Sequence, residues 1–178
     1  MLSRTIRFHG RMIGLLVLGA TLAANYGHAA PLDPAELAYE RFKSLAGTWQ
    51  ADSTKGWSEE ITIEVIASGS AVMSTTTFRD APDRKMVTLY SLDGPNLVAT
   101  HYCEARNQPH LMATEIAGDA STIRFTFVRG GNMASRDEGH MDEAIFRFAG
   151  DNEFSSQWTF YQDGGEDWME EIHYRRLH

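Results

Sequence analysis

His101 and Cys103 are the side chains whose types and spacing best suit chemistry: an imidazole and a thiol two residues apart. On an extended strand, residues two apart project to one face, so the pair shares access to one ion or one substrate. Imidazole and thiolate together suit Zn²⁺, but a zinc site takes three or four ligands. His110 and His140 stand at no spacing that completes such a set, so no metal is expected. The other chemistry open to the pair is a nucleophile with its base. Side chains that point the same way do not by themselves aim an imidazole at a sulfur. No acid is placed to orient His101, although Asp142 stands two beyond His140. The chain contains no Gly-x-Ser-x-Gly, no His-Glu-x-x-His and no glycine-rich phosphate loop. No catalytic residue is assigned, and the expected state is a buried thiol beside a hydrogen-bonded histidine.

The neighbours of that pair set its direction. Leu97 and Ala99 share its face and are apolar, so the face is expected to point inward. An imidazole in an apolar interior needs a partner, because leaving it unpaired costs about 1–3 kcal/mol. His101 is therefore expected to line a cavity and to hydrogen-bond a polar side chain or a ligand, with Tyr90 and Tyr102 nearby. If the face pointed outward, Thr100 and Tyr102 would become the inward pair. A second cluster, Phe146, Phe148, Trp158, Phe160, Trp168 and Tyr174, occupies the last three strands. Core packing accounts for most of it. Phe146 and Trp158 mark faces turned inward, opposite Arg147, Gln157, Thr159 and Tyr161; a polar interior would reverse the assignment.

The elements that must position these residues are strands. Ile61, Ile63 and Val65 alternate with Thr62 and Glu64, and Ser68-Gly69 makes a turn before a strand at 72–78. Pro82-Asp83 separates it from 86–92, and Asp93-Gly94 gives a strong turn signal before 97–104. Asn107-Gln108-Pro109 breaks the chain before 111–116, and Gly118-Asp119 leads into 123–129. The longest irregular stretch, 130–139, is read with one helical turn around 134–137. Strands at 141–148, 154–161 and 168–175 follow. With the strand through Trp49 this makes about ten, and no helix stands between strands to carry a parallel crossover. One helix is expected at 33–45: Asp33 as N-cap, Pro34 in the first turn, Glu36 completing a capping box, and Ala35, Ala38, Phe42 and Leu45 on one face. It reads as a lid or plug on a barrel end.

Residues 1–29 have the form of a secretory leader. Arg4, Arg7 and Arg11 precede an apolar run from residue 12 to 24, and Gly27-His28-Ala29 offers small residues for cleavage. The run is shorter than the ~20 residues a spanning helix needs. No cysteine ends the leader to accept a lipid, so no stable membrane anchor is expected after cleavage. The domain is then 30–178, in the periplasm or outside the cell. The leader holds three of the 16 basic residues and no acid, so the mature chain carries 13 basic residues against 24 acids. That charge disfavours nucleic acid and anionic membranes as partners. Cys103 is the single cysteine, so no internal disulfide is possible.

Gly47-Thr48-Trp49, at the end of the helix and the start of the first strand, resembles the entry of the lipocalin and fatty-acid-binding (calycin) barrels. The resemblance implies an antiparallel up-and-down barrel of about ten strands around a cavity. It also implies that Trp49 packs under a basic residue from the last strand, Arg175 or Arg176, of which alternation allows one. The segment Met86-Val-Thr-Leu-Tyr90, with Thr100-His101-Tyr102-Cys103 and Asn107-Gln108-Pro109, is similar to secreted bacterial lipocalin-like proteins of unknown activity. In length and strand count the chain also resembles nitrobindin-like barrels, in which a late histidine holds haem iron. His173 is the matching position, and it shares a face with Glu171 and Arg175, which suits a surface histidine.

These readings converge on an all-β calycin-like barrel that binds a small, partly apolar molecule, with no cofactor. The candidate cavity residues are Tyr90, His101, Tyr102, Cys103, Phe146, Trp158 and His173. Gly47, Trp49, Arg175 and Arg176 form the structural signature. The alternatives are a barrel enzyme, a haem-binding barrel, and an envelope interaction protein with a filled core.

Overall fold

Helix α1 (Pro34–Ser44) starts where its cap chemistry requires. Asp33 accepts a hydrogen bond from the Ala35 amide at 2.9 Å, and Glu36 reaches back to the Asp33 amide at 3.3 Å, closing a capping box. Gly47 then turns the chain into the first strand at φ = 139°, a conformation that costs an L side chain dearly. The computed structural model describes residues 32–177, with the backbone alone at 166–169. The leader assigned to 1–29 and the Trp168 side chain lie outside the described residues.

The strands are β1 (Gly47–Ser53), β2 (Ser58–Ile66), β3 (Ala71–Phe78), β4 (Ala81–Asp93), β5 (Asn96–Tyr102), β6 (Gln108–Ile116), β7 (Thr122–Gly131), β8 (His140–Phe148), β9 (Glu153–Gln162) and β10 (Gly165–Arg176). Each pairs antiparallel with its neighbour in sequence, and β10 pairs with β1, so the sheet closes into a barrel. The all-β class, the ten strands and the one helix agree with the turn spacing. Closure leaves no exposed edge in the ladder.

The chain crosses the barrel ten times, so its hairpins collect at two ends. One end carries α1 and the turns after β2, β4, β6 and β8. The other carries the loops after β1, β3, β5, β7 and β9 and forms a mouth. Irregularities gather toward the mouth. Thr77 pairs with Lys85 while Phe78 pairs with Ala81, so residues 82–84 bulge out of β4. Further shifts lie between Met141 and Glu143 and between Glu166 and Trp168. Bulges of this kind bend strands at barrel rims.

Two expected strand breaks are corrected. Pro82-Asp83 and Gln108-Pro109 do not separate strands but lie inside β4 and β6. The first pair sits in the bulge, and Pro109 pairs opposite Gly130. The turn read around 134–137 is present as one hydrogen-bonded turn, the Glu138 amide donating to the Ser135 carbonyl at 3.4 Å, with no regular helix. Arg136 in this turn lies between the rings of Phe127 and Tyr161, at 4.5 and 4.3 Å from their centroids, and bonds His140 and Asp142. That docking holds the loop against the outer wall.

Candidate functional site

The helix end of the barrel is filled. Phe42 of α1 stacks on Tyr90 at 4.2 Å between centroids and meets Phe146 edge-on at 5.1 Å and Phe148 at 5.7 Å. Trp49 is fully buried beside Phe154 and donates its indole N–H to the Leu45 carbonyl at 2.8 Å. The Arg176 guanidinium lies 4.2 Å from the Trp49 ring and donates to the carbonyls of Ser44, Ala46 and Asp151. One side chain thus supplies a cation–π contact and satisfies carbonyls at the C-terminal end of α1. Arg175, the other candidate, faces outward and bonds Asp52 at 3.3 Å, because alternation along β10 puts the two on opposite faces.

Below this plug polar side chains join the apolar lining and the packing leaves a chamber of about 40 Å³. Phe42, Tyr90, Phe146, Trp158 and Tyr174 wall it on one side, and Thr88, His101, Glu59 and Glu170 bring polar groups. His101 is 4% exposed, its ring 5.2 Å from that of Trp158, and its Nδ1 lies 2.8 Å from the Thr88 hydroxyl. Its Nε2 has no hydrogen-bond partner among the described residues. Burial pushes its pKa down to about 4, so the ring is neutral at pH 7. Across the barrel the Trp158 indole donates to the Ser156 hydroxyl at 3.0 Å, and Ser156 bonds the Tyr174 hydroxyl at 2.8 Å.

Two carboxylates complete the chamber, and neither was singled out from the sequence. Glu59 on β2 is 2% exposed and accepts the indole N–H of Trp57 at 3.0 Å. Glu170 on β10 is 5% exposed and accepts from the Ser53 hydroxyl at 2.6 Å. Burial, reinforced by the neighbouring Glu170, pushes the Glu59 carboxyl up to about 7, while the Trp57 bond opposes the rise. Burial also raises Glu170, against the Ser53 bond and the field of Lys55. A signal for both was present: Glu59 keeps the period-two phase of Ile61 and Ile63, and Glu170 that of Ile172 and Tyr174, all inward residues.

Met86, Met141 and Glu170 line both this chamber and a second space, a pocket of about 650 Å³ at the mouth. Trp57, Phe78 and Phe160 give it apolar walls, with Cys103 and Glu104 on the β5–β6 side. Arg84 rides over the Phe78 ring at 5.3 Å and is paired with Glu104. A volume of this size is in the range that holds small organic ligands; the inner chamber has room for one or two water-sized groups.

The sequence-derived candidates divide accordingly. Tyr90, His101, Phe146 and Trp158 line the inner chamber. Cys103 stands one residue past the end of β5, half-buried, and lines the mouth pocket instead; burial raises its thiol pKa. Tyr102 is corrected: it is 45% exposed on the outer wall, since the neighbour of an inward His101 must point outward. His173 is corrected for the same reason. It alternates with the inward Ile172 and Tyr174, is exposed, and lies 3.8 Å from Glu171. Among the described residues, no three His, Cys, Asp or Glu side chains group as a metal site.

No family model matches the chain, and no curated protein matches it. Two of the solved structures similar to it follow. One is a protein of unknown function from the DUF3598 family of Nostoc punctiforme PCC 73102, at 12% identity and a TM-score of 0.47, covering 76% of this chain and 49% of that one. The chain thus spans about half the length of that structure. The other is EF1p2_mFAP2b bound to DFHBI, at 12% identity and a TM-score of 0.33, covering 79% of this chain and 98% of that one.

Proposed function

We propose that this chain is an exported binding protein that admits one small, partly apolar molecule through the mouth of its barrel. The observation that carries the reading is the pairing of a 650 Å³ apolar-walled pocket with a small chamber beneath it that holds a few buried polar groups, at the end opposite the helical plug. Apolar walls supply affinity by removing ligand surface from water, and a few polar groups at the base orient the molecule. The leader at 1–29 supports export to the periplasm or beyond.

Native mass spectrometry of protein purified from its own host, with extraction of what it carries, tests the reading. One small organic molecule per chain is expected, together with an N-terminus beginning at Ala30. Titration with the neutral fluorescent probe N-phenyl-1-naphthylamine gives an independent measure. Saturable binding that Met86→Trp weakens supports the mouth as the entry. A chain that carries nothing and leaves the probe dark overturns it.

A further inference from the structure

We propose that the ligand is an organic cation, an apolar body ending in a protonated amine, and that Glu170 and Glu59 receive the amine. The proposal rests on the binding reading above and deepens it.

Glu59 and Glu170 face the interior from the two strands that flank β1. Both are almost completely buried, and their hydrogen-bond donors are neutral: an indole N–H for Glu59 and a hydroxyl for Glu170. None of the ion pairs among the described residues includes either carboxylate. Burying a carboxylate without an ion-pair partner is expensive, the Glu170 charge adds to that cost at Glu59, and Lys55 acts on Glu170 through its field without forming an ion pair. A cation arriving with the ligand would repay that cost.

His101 contributes a separate observation. The residue lines the same chamber; its Nε2 is buried with no hydrogen-bond partner among the described residues, while its Nδ1 is engaged by Thr88. With Nδ1 protonated and donating to Thr88, Nε2 presents a lone pair. The chamber then offers one imidazole nitrogen and two acidic side chains, of which Glu59 holds its proton to about 7; an arriving ammonium displaces that proton to water and leaves acceptors only. An alkylammonium carries three N–H donors and no acceptor, which is the complement of that set.

Size and access agree. A chamber of about 40 Å³ admits a group as small as an ammonium, and the body must then stay in the 650 Å³ mouth. Glu170 lines both spaces, with the flexible side chains of Met86 and Met141 beside it. Among the described residues of the mouth, Asp80, Glu104 and Glu170 outnumber Arg84, which Glu104 already holds. An anionic head would meet carboxylates at every depth.

Three probes with one tail test this in the full mature chain by calorimetry at pH 7: dodecylamine, 1-dodecanol and dodecanoate. The amine is expected to bind about tenfold or more tighter than the alcohol, and dodecanoate more weakly than either. Glu170→Gln should erase the amine's advantage and leave the alcohol unchanged, while Glu60→Gln, on the outer face of β2, should change neither. Equal affinity for all three, or a preference for dodecanoate, overturns the cation assignment and leaves the binding reading intact. Failure of all three to bind overturns both. The head-group comparison needs no variant, so it holds even if Glu170→Gln does not fold.

Discussion

The two ends of this barrel are built from the same alternating strands yet solve opposite problems. At the helix end, Phe42, Tyr90, Phe146, Phe148 and Trp49 fill the interior, and Arg176 ties the last strand to the helix terminus. At the mouth, residues of the same inward phase become Glu59, Glu170, His101, Met86 and Met141, and the packing opens into a pocket. The closed end gains stability from dispersion and burial. The open end holds polar groups whose desolvation costs stability, the usual relation between a scaffold and a site.

Emptying the closed end should produce the largest effect. Phe42→Ala removes a ring that touches four others and should cost about 3–5 kcal/mol in urea unfolding. A loss under ~1 kcal/mol would show that the plug is not part of the core.

The pH dependence of stability sharpens the contrast next. Glu59 holds its proton to about 7 in the folded chain against an ordinary 4.5. Between those values the folded state binds more protons than the unfolded, so stability falls as pH rises, by on the order of 3 kcal/mol in full. His101 titrates near 4 against an ordinary 6.5, so between pH 4 and 6.5 the unfolded state binds more protons and stability rises with pH. The raised Glu170 adds to the Glu59 direction. In the native chain the opposing slopes largely cancel. Glu59→Gln should therefore unmask a stability that climbs from pH 4 to 6.5, and His101→Gln one that declines from 4.5 to 7. Chemical unfolding across that range checks both, and identical profiles for the two variants would sink the assignment.

Arg176 should come third. Arg176→Ala loses the ring contact with Trp49 and three carbonyl bonds, to Ser44, Ala46 and Asp151, and keeps the backbone bond to Asn152. About 2 kcal/mol is expected, with Arg176→Lys recovering only a fraction because an ammonium lacks the planar fork. Arg175→Ala, one residue away on the outer face, should stay within ~0.5 kcal/mol. The smallest effect belongs to the mouth. Met86→Ala should cost clearly less than the ~2–5 kcal/mol of a fully packed methionine, since Met86 borders open space.

Much of this was legible in the chain itself. Turn residues such as Asp93-Gly94 delimit the strands, and the Asp33-to-Glu36 capping box opens the helix. The apolar phase of Leu97 and Ala99 turns His101 inward. The misreadings have two causes. Pro82-Asp83 and Pro109 carry break signals that a bulge and a glycine partner absorb across the sheet. Tyr102 and His173 were grouped with the cavity by residue type, against the alternation that sends them outward.

Local sequence therefore determined the alternation, the turns and the cap, because each depends on backbone preferences and side-chain periodicity within a few residues. The resemblance carried by Gly47-Thr48-Trp49 implied an arginine against Trp49, and alternation limited the choice to one of two. Only the tertiary structure decided which one, since that depends on the register between β1 and β10, where Trp49 faces Arg176. Closure likewise brought Glu59, Glu170 and His101, residues far apart in sequence, to one small chamber. Their shifted proton affinities come first from the burial that this closure imposes, with the Glu170 charge adding to the rise at Glu59.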